Sequence, residues 1–185
     1  MTRVALVRHG ETDWNAQHRF QGHADRPLTP SGFAQAHAAA RELVAAGRDW
    51  SAVFASPLLR ARQTAGVVVN TLGLAAPQPV DELIEQTFGV AEGMPVAEAR
   101  RRWPDGLFPG GETPAQVAER ALVAWRRMTA AAASDLIAVC HGALIRHLVA
   151  GLTGADPGML ANGGLVQLDD ASGAWAIVAD EGAAA

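Results

Sequence analysis

Short runs of consecutive apolar residues punctuate the chain and predict its strands. A continuous apolar run, rather than an alternating one, is typical of a strand buried on both faces of a sheet. Three such runs come before residue 140, and two shorter strands are expected near the end of the chain. The five predicted strands span residues 4–7, 52–55, 136–139, 165–168 and 175–178.

Between these runs, apolar residues recur every three or four positions and predict helices. Thr29 followed by Pro30 marks one helix start and Pro57 opens another, and two more helices are expected over residues 113–133 and 143–152. Buried strands that alternate with helices imply parallel pairing through right-handed crossovers. The predicted fold is one α/β domain over residues 1–185, a three-layer α/β/α sandwich with a mostly parallel central sheet.

Polar residues directly follow three of the predicted strands. Arg8-His9-Gly10 follows the first, Ser56 and Arg60 follow the second, and His141-Gly142 follows the third. Because sites in open parallel sheets lie at the carboxyl ends of the strands, we expect these side chains to meet at one edge. A glycine after each histidine has no Cβ, which would let a substrate approach the backbone closely.

Two arginines and two histidines at one sheet edge indicate phosphate chemistry. Their N–H donors can surround the oxygens of a tetrahedral dianion. A neutral imidazole can also attack phosphorus, and nearby arginine charges favour the neutral form. This reasoning does not decide whether His9 or His141 attacks.

Arg8-His9-Gly10-Glu11-Thr12 with Asn15 resembles the signature of the histidine phosphatase superfamily, in its phosphoglycerate-mutase-like branch. The resemblance covers most of the chain, with the matching residues in order. Further matching motifs are Gln21-Gly22, Asp25-Arg26-Pro27-Leu28-Thr29, Gly32, Gln35-Ala36, Ser56-Pro57-Leu58, Arg60-Ala61, Gln63-Thr64, Glu85, Gly89, Glu92-Gly93, Gly110-Gly111-Glu112-Thr113, His141-Gly142 and Arg146.

The resemblance implies a phosphoglycerate-mutase-like fold and a role for each matching residue. His9 would be the nucleophile that forms a phosphohistidine, Arg8, Arg60 and His141 would hold the phosphoryl oxygens, and Glu85 would protonate the leaving oxygen. The positions expected around the phosphate or the adjacent substrate are Asn15, Gln21, Gly22 and Gly142. Positioning and fixed positive charge are what phosphoryl transfer mainly requires.

Several positions depart from the family pattern. Cys140 stands where relatives commonly have a small hydroxyl residue, and Ile84 stands where many have an arginine. A segment of about residues 86–111 is expected to form a short lid, without the longer basic insertion of the glycolytic mutases. A mutase must keep water from its phosphorylated intermediate, so a short lid favours hydrolysis.

Composition narrows the setting of this chemistry. The formal charge of −4 on the 185-residue chain argues against general binding to nucleic acid or to anionic membranes. All fifteen basic residues are arginine, which is consistent either with coding bias or with binding of phosphate by planar guanidinium groups. One cysteine and no long apolar run predict a cytoplasmic protein without disulfides. The spacing of His18, His23, His37 and His147 is not that of a metal site, so neither a metal nor another cofactor is expected.

The leading prediction is a metal-independent phosphomonoesterase that acts on a small phosphorylated metabolite. The alternatives are a phosphoglycerate mutase, a phosphatase for a cobalamin precursor such as α-ribazole phosphate, and a phosphate-binding module without turnover. Glu11 is interpreted equally as an orienting group or a structural one, and Trp103 with Phe108 equally as a lid wall or a satellite core. Residues 100–102 are expected on a solvated face, and an edge strand near the carboxyl terminus would allow a homodimer.

Overall fold

The computed structural model describes residues 2–132 and 134–178. Its described strands are β1 Arg3–Arg8, β2 Trp50–Ala55, β3 Gln78–Pro79, β4 Asp135–Cys140, β5 Leu165–Asp169 and β6 Ala176–Ile177. Its described helices are α1 Asp13–Ala16, α2 Pro30–Ala45, α3 Leu59–Leu72, α4 Val96–Arg102, α5 Pro114–Ala131 and α6 Gly142–Thr153. Two 3₁₀ turns lie at Asp81–Leu83 and Gly89–Ala91.

The strands form one sheet in the order β3-β2-β4-β1-β5-β6. The first four are parallel, whereas β5 runs antiparallel to β1 and β6 antiparallel to β5. Alternate residues of β1 face opposite sides, so Val4 and Leu6 pack in the core with α5 and α6, and Ala5 and Val7 in the core with α2 and α3. The predicted α/β fold with a mostly parallel sheet is confirmed.

The strand register brings three carboxyl ends to one level. Arg8 at the end of β1 lies opposite Cys140 at the end of β4, and Ala55 at the end of β2 lies opposite Val139. His9, Ser56 and His141 therefore leave the sheet side by side, as expected from the sequence.

Several helix boundaries differ from the prediction by one or two residues, and two helices were not predicted. The helix expected to open at Pro57 begins at Leu59, because the preceding Leu58 is extended and the Leu59 N–H donates to Asp25 Oδ1 at 2.6 Å. Helix α5 ends at Ala131, and residue 133, the predicted end, lies outside the described residues. Helices α1 and α4 were not predicted, because neither is long enough to show helical periodicity.

The segment expected to form a lid, residues 86–111, contributes three aromatic side chains to a small separate core that also contains Phe20. Phe20, Phe88, Phe108 and Trp103 contact one another edge to face or tilted, with ring centroids 4.7 to 6.0 Å apart. Of the two interpretations of Trp103 and Phe108, the satellite core matches this packing. Whether the segment opens and closes stays a prediction. No helix within residues 2–132 and 134–178 is long and apolar enough to cross a membrane.

Candidate active site

The side chains expected at the strand ends lie together. The rings of His9 and His141 meet edge to face with centroids 5.1 Å apart, and the Arg60 Nε–H donates to His9 Nε2 at 3.1 Å. The carboxylate of Glu85 accepts from the backbone N–H groups of Ala143 and Leu144, in the first turn of α6 directly after His141. The side chains of His9, Arg60, Glu85 and His141 are each at least nine-tenths buried.

Two hydrogen bonds fix the tautomer of His9. Nδ1 lies 2.7 Å from the carbonyl oxygen of Gly10, which can only accept, so Nδ1 carries the proton. Nε2 faces the guanidinium of Arg60, which can only donate, so Nε2 presents a lone pair. The ring is therefore held as a neutral imidazole whose Nε2 presents a lone pair, the form that attack on phosphorus requires.

Burial and positive charge keep both histidines neutral. Desolvation lowers the pKa of His9 well below 6.5, and the charges of Arg60 and Arg8 lower it further. Desolvation likewise lowers the pKa of His141, with Arg60 adding to the shift. His141 Nε2 shares a 2.7 Å hydrogen bond with Ser56 Oγ, while its Nδ1 is buried without a partner in the described part of the chain.

Arg60, in the first turn of α3, is fully buried, and two backbone carbonyl groups accept hydrogen bonds from its guanidinium. Its Nη1 donates to the Ala24 carbonyl at 3.0 Å and its Nη2 to the Gly22 carbonyl at 2.8 Å. The Glu92 carboxylate accepts from the backbone N–H groups of the same two residues, at 3.0 to 3.1 Å. Glu92 thus orients the two residues whose carbonyl groups hold the guanidinium against His9.

Glu85 is a buried carboxyl group, and desolvation raises its pKa above 4.5. Three backbone N–H donors, from Gln86, Ala143 and Leu144, and the charge of Arg60 oppose that shift. The sequence could not settle the direction of the shift, and the burial of the carboxyl group decides it. A carboxyl group with a raised pKa is suited to donate a proton.

Arg8 lines an open cavity of about 520 Å³, whose lining does not include His9 or His141. Its Nη1 donates to the Leu160 carbonyl at 2.5 Å, and its Nε is buried without a partner among the described residues. The cavity is also lined by Glu11, Asn15, Ala16, His18, Arg19, Val96 and Asn162. Unpartnered Arg8 Nε and His141 Nδ1 are the kind of buried polar atoms that a bound anion would satisfy.

The other predicted substrate-binding residues differ in whether their polar groups are already used in hydrogen bonds within the protein. Asn15 lines the cavity. Gln21 accepts from Thr12 Oγ1 and donates to the Ala24 carbonyl, and the N–H of Gly22 is taken by Glu92. Gln21 and Gly22 therefore support the loop around Arg60 by their protein contacts.

The expectation that each glycine makes room for a substrate is wrong in its physical reason at Gly10. A Cβ on Gly10 would lie 2.2 Å from the Gly32 carbonyl oxygen, so the glycine is needed for backbone packing. A Cβ on Gly142 would meet Met159 Sδ at 2.9 Å and Arg8 Nε at 3.3 Å. Gly142 thus makes room for protein side chains, Arg8 among them.

Most other candidates from the sequence have structural contacts. Glu11 accepts from Thr29 Oγ1 while lining the cavity, and Cys140 is buried, which raises its thiol pKa. Residues 100–102 are exposed on α4, where Arg102 pairs with Glu98. Within the described part of the chain, no three His, Cys, Asp or Glu side chains form a cluster that could hold a metal.

Sequence reasoning missed two residues that shape the site. Arg120 of α5 donates to the carbonyl groups of Glu82, Ile84 and Glu85, which fixes the backbone that presents Glu85. Asn162 donates to the backbone of His9 and to Asn15. Neither residue lies in a motif that matches the family. The position of Arg120 in a predicted helix was the only feature of the sequence that pointed to either residue.

Comparisons with known proteins show which family the chain is similar to. The family model of the histidine phosphatase superfamily (branch 1) matches residues 4–181. The chain is 36% identical to an uncharacterized phosphatase PhoE of Bacillus subtilis, over 96% of this chain and 93% of that protein. It is 34% identical to a 2,3-bisphosphoglycerate-dependent phosphoglycerate mutase of Methylobacterium radiotolerans, over 82% and 79%.

A solved structure shows the same fold. The mycobacterial glucosyl-3-phosphoglycerate phosphatase in complex with VO₃ superposes with a TM-score of 0.85 at 28% identity, covering 96% of this chain and 98% of that one.

Proposed function

The chain belongs to branch 1 of the histidine phosphatase superfamily, an enzyme family of phosphatases and mutases, and on that premise we propose that it is a metal-independent phosphomonoesterase acting through a phosphohistidine on His9. The observation that carries the proposal is the neutral, Nδ1-protonated ring of His9, whose Nε2 lone pair lies 3.1 Å from Arg60 Nε. Its substrate is a phosphate ester of a small molecule.

In the first step, the Nε2 lone pair of His9 attacks phosphorus as the bond from phosphorus to the ester oxygen breaks. Arg8, Arg60 and His141 hold the phosphoryl oxygens, and the positive charges of the arginines stabilise the charge that spreads over them. The proton of Glu85 passes to the leaving oxygen, so the products are an alcohol and phosphohistidine. The raised pKa of Glu85 supports this role.

In the second step, water attacks the phosphohistidine as the bond from phosphorus to Nε2 breaks. The Glu85 carboxylate takes a proton from the attacking water, which restores the carboxyl group and releases phosphate. In this scheme Asn15 contacts the phosphoryl group, and the cavity that Arg8 and Asn15 line accommodates the rest of the ester.

Two observations favour water over a second substrate as the acceptor. The phosphatase of Bacillus subtilis is similar over more of both chains than the mutase of Methylobacterium radiotolerans is. The segment of residues 92–110 is also short. An enzyme that keeps a phosphorylated intermediate for transfer to a second substrate must exclude water, so a short segment over the site favours hydrolysis.

The test is release of free phosphate from sugar phosphates, phosphoglycerates, nucleotides and phosphoamino acids, without added metal and with a chelator. We expect turnover by the wild type and a loss of roughly 10³-fold or more in His9→Ala, since removal of a nucleophile abolishes the covalent route. His37→Ala, which alters an exposed histidine of α2, is the matched control. His9→Ala with wild-type turnover would refute the nucleophile.

The same assay separates the alternatives. Rapid conversion of 3-phosphoglycerate to its 2-isomer with a catalytic amount of bisphosphorylated primer, and little free phosphate, would identify a mutase instead. Phosphate binding without turnover on any substrate would identify a binding module.

A further inference from the structure

Asn162 lies in the loop between α6 and β5 and joins two parts of the site. Its single amide nitrogen donates to the His9 carbonyl oxygen at 3.2 Å and to Asn15 Oδ1 at 3.1 Å. Both partners are acceptors, so the Asn162 amide has only one orientation that satisfies them. The backbone of the nucleophile therefore fixes the orientation of the Asn162 side chain.

That orientation in turn fixes Asn15. Asn15 Oδ1 accepts from the Thr12 N–H at 3.1 Å as well as from Asn162. A rotated Asn15 amide would direct its Nδ2 hydrogens at these two donors, which is unfavourable. Asn15 Nδ2, which has no hydrogen-bond partner among the described residues, is therefore left as the donor that the side chain can offer in the cavity it shares with Arg8.

We propose that Asn162 is a positioning residue that holds the Asn15 amide with its Nδ2 donors toward the phosphoryl group beside Arg8. The inference rests on the proposed function, because it gives Asn15 a phosphoryl ligand. The Thr12 N–H alone would leave the Asn15 amide with one fixed contact instead of two.

A double-mutant cycle tests this inference by the binding of inorganic phosphate, measured by isothermal titration calorimetry at pH 7.5. A hydrogen bond to an anion is worth enough that Asn162→Ala and Asn15→Ala should each raise the Kd by roughly tenfold or more. Because both act on the same donor, the double variant should be little weaker than Asn15→Ala. Asn70→Ala, on an exposed position of α3, should bind phosphate as the wild type does.

Asn162→Asp supplies a second, nearly isosteric variant and settles the matter if Asn162→Ala does not fold. Its carboxylate can only accept, so Asn15 would turn its Nδ2 toward Asp and its oxygen toward the anion. The new charge also repels phosphate by itself, so the comparison is with the double variant Asn162→Asp/Asn15→Ala. If Asn162 acts through Asn15, removal of the misdirected amide should raise the Kd of Asn162→Asp little further. In steady-state assays KM should rise more than kcat falls, because the Asn15 contact exists before and during phosphoryl transfer.

The outcomes distinguish the inference from the function on which it rests. Additive losses, or an unchanged Kd in both Asn162 variants, would overturn the role of Asn162 even if the wild type hydrolyses phosphate esters. Phosphate binding with a non-additive cycle and no turnover would support the positioning role and reject the phosphomonoesterase. A wild type that neither binds phosphate nor hydrolyses any phosphate ester would overturn both.

Discussion

The two buried histidines of the site differ in what holds them. His9 is enclosed by a carbonyl acceptor at Nδ1 and a guanidinium donor at Nε2, which together leave one tautomer. Among the described residues, the ring of His141 has one hydrogen-bond partner, Ser56 Oγ, and its Nδ1 has none. A fixed lone pair suits the nucleophile, and an unpartnered ring nitrogen suits a group that contacts the phosphoryl oxygens.

Glu85→Gln separates proton donation from electrostatic support. An amide cannot protonate a leaving alkoxide, so the rate for an alkyl phosphate should fall roughly 10²–10⁴-fold. An activated aryl phosphate leaves without that proton, and its rate should fall far less. The measurement is the ratio of wild-type to variant single-turnover rates for the two esters. Equal losses on both would show that Glu85 orients or balances charge and does not act as the acid.

At the scale of elements, the loop of residues 22–24 connects Glu92 to the reaction centre. Its N–H groups donate to Glu92 while its carbonyl groups accept from Arg60, and Arg60 contacts His9. The carboxylate is therefore connected to His9 through Gly22, Ala24 and the guanidinium of Arg60.

Glu92→Ala removes the carboxylate that accepts from the Gly22 and Ala24 N–H groups, and the resulting misplacement of Arg60 should lower kcat/KM by roughly 10²-fold. Glu92→Gln keeps one acceptor and should lose less. Arg60 lowers the pKa of His9, so a displaced Arg60 should also move the acidic limb of the kcat/KM profile to higher pH. Glu119→Gln, at an exposed position of α5, is the control. A loss of rate with an unshifted acidic limb would contradict the proposed path through Arg60.

Backbone packing at the ends of elements makes a paired prediction with glycines. In Gly10→Ala the new Cβ would lie 2.2 Å from the Gly32 carbonyl, which no side-chain movement can relieve, and the free energy of unfolding should fall by about 3 kcal/mol. Gly66 lies within α3 with open space around its Cβ position, so Gly66→Ala should raise it by about 0.5–1 kcal/mol. Urea denaturation measures both. A Gly10→Ala protein as stable as the wild type would contradict the close packing.

The sequence predicted those elements of the fold that have a regular pattern of apolar residues. Buried strands are continuous apolar runs, and parallel strands must end at one edge, so His9, Arg60 and His141 could be placed together before any coordinates. The contacts of Asn162, Arg120 and Glu92 join loops and elements distant along the chain. They follow no periodicity, and they became visible only when the sheet had brought the loops together.

For the molecule as a whole, the site places two uncharged imidazoles in the interior of the fold. His9 is 3% exposed and His141 is 0% exposed, and the pKa of each is lowered in the folded protein. The unfolded chain takes up a proton on each ring near pH 6.5, whereas the folded protein does so only at lower pH. The stability that comes from keeping them neutral is complete above pH 6.5 and is lost as the pH falls toward the folded values.

The free energy of unfolding should therefore decrease on acidification from pH 7.5 to 5.5. Below pH 6.5 each histidine should contribute up to about 1.4 kcal/mol per pH unit to this decrease. His9→Gln and His141→Gln should each flatten this dependence, whatever their effect on stability at pH 7.5. Glu85, with its raised pKa, acts in the opposite sense, but it is common to all these proteins and cancels in the comparison. The exposed His37→Gln serves as control and should keep the wild-type slope. Urea denaturation at several pH values gives the slopes, and equal slopes in all four proteins would show that the two rings do not stay neutral in the folded state.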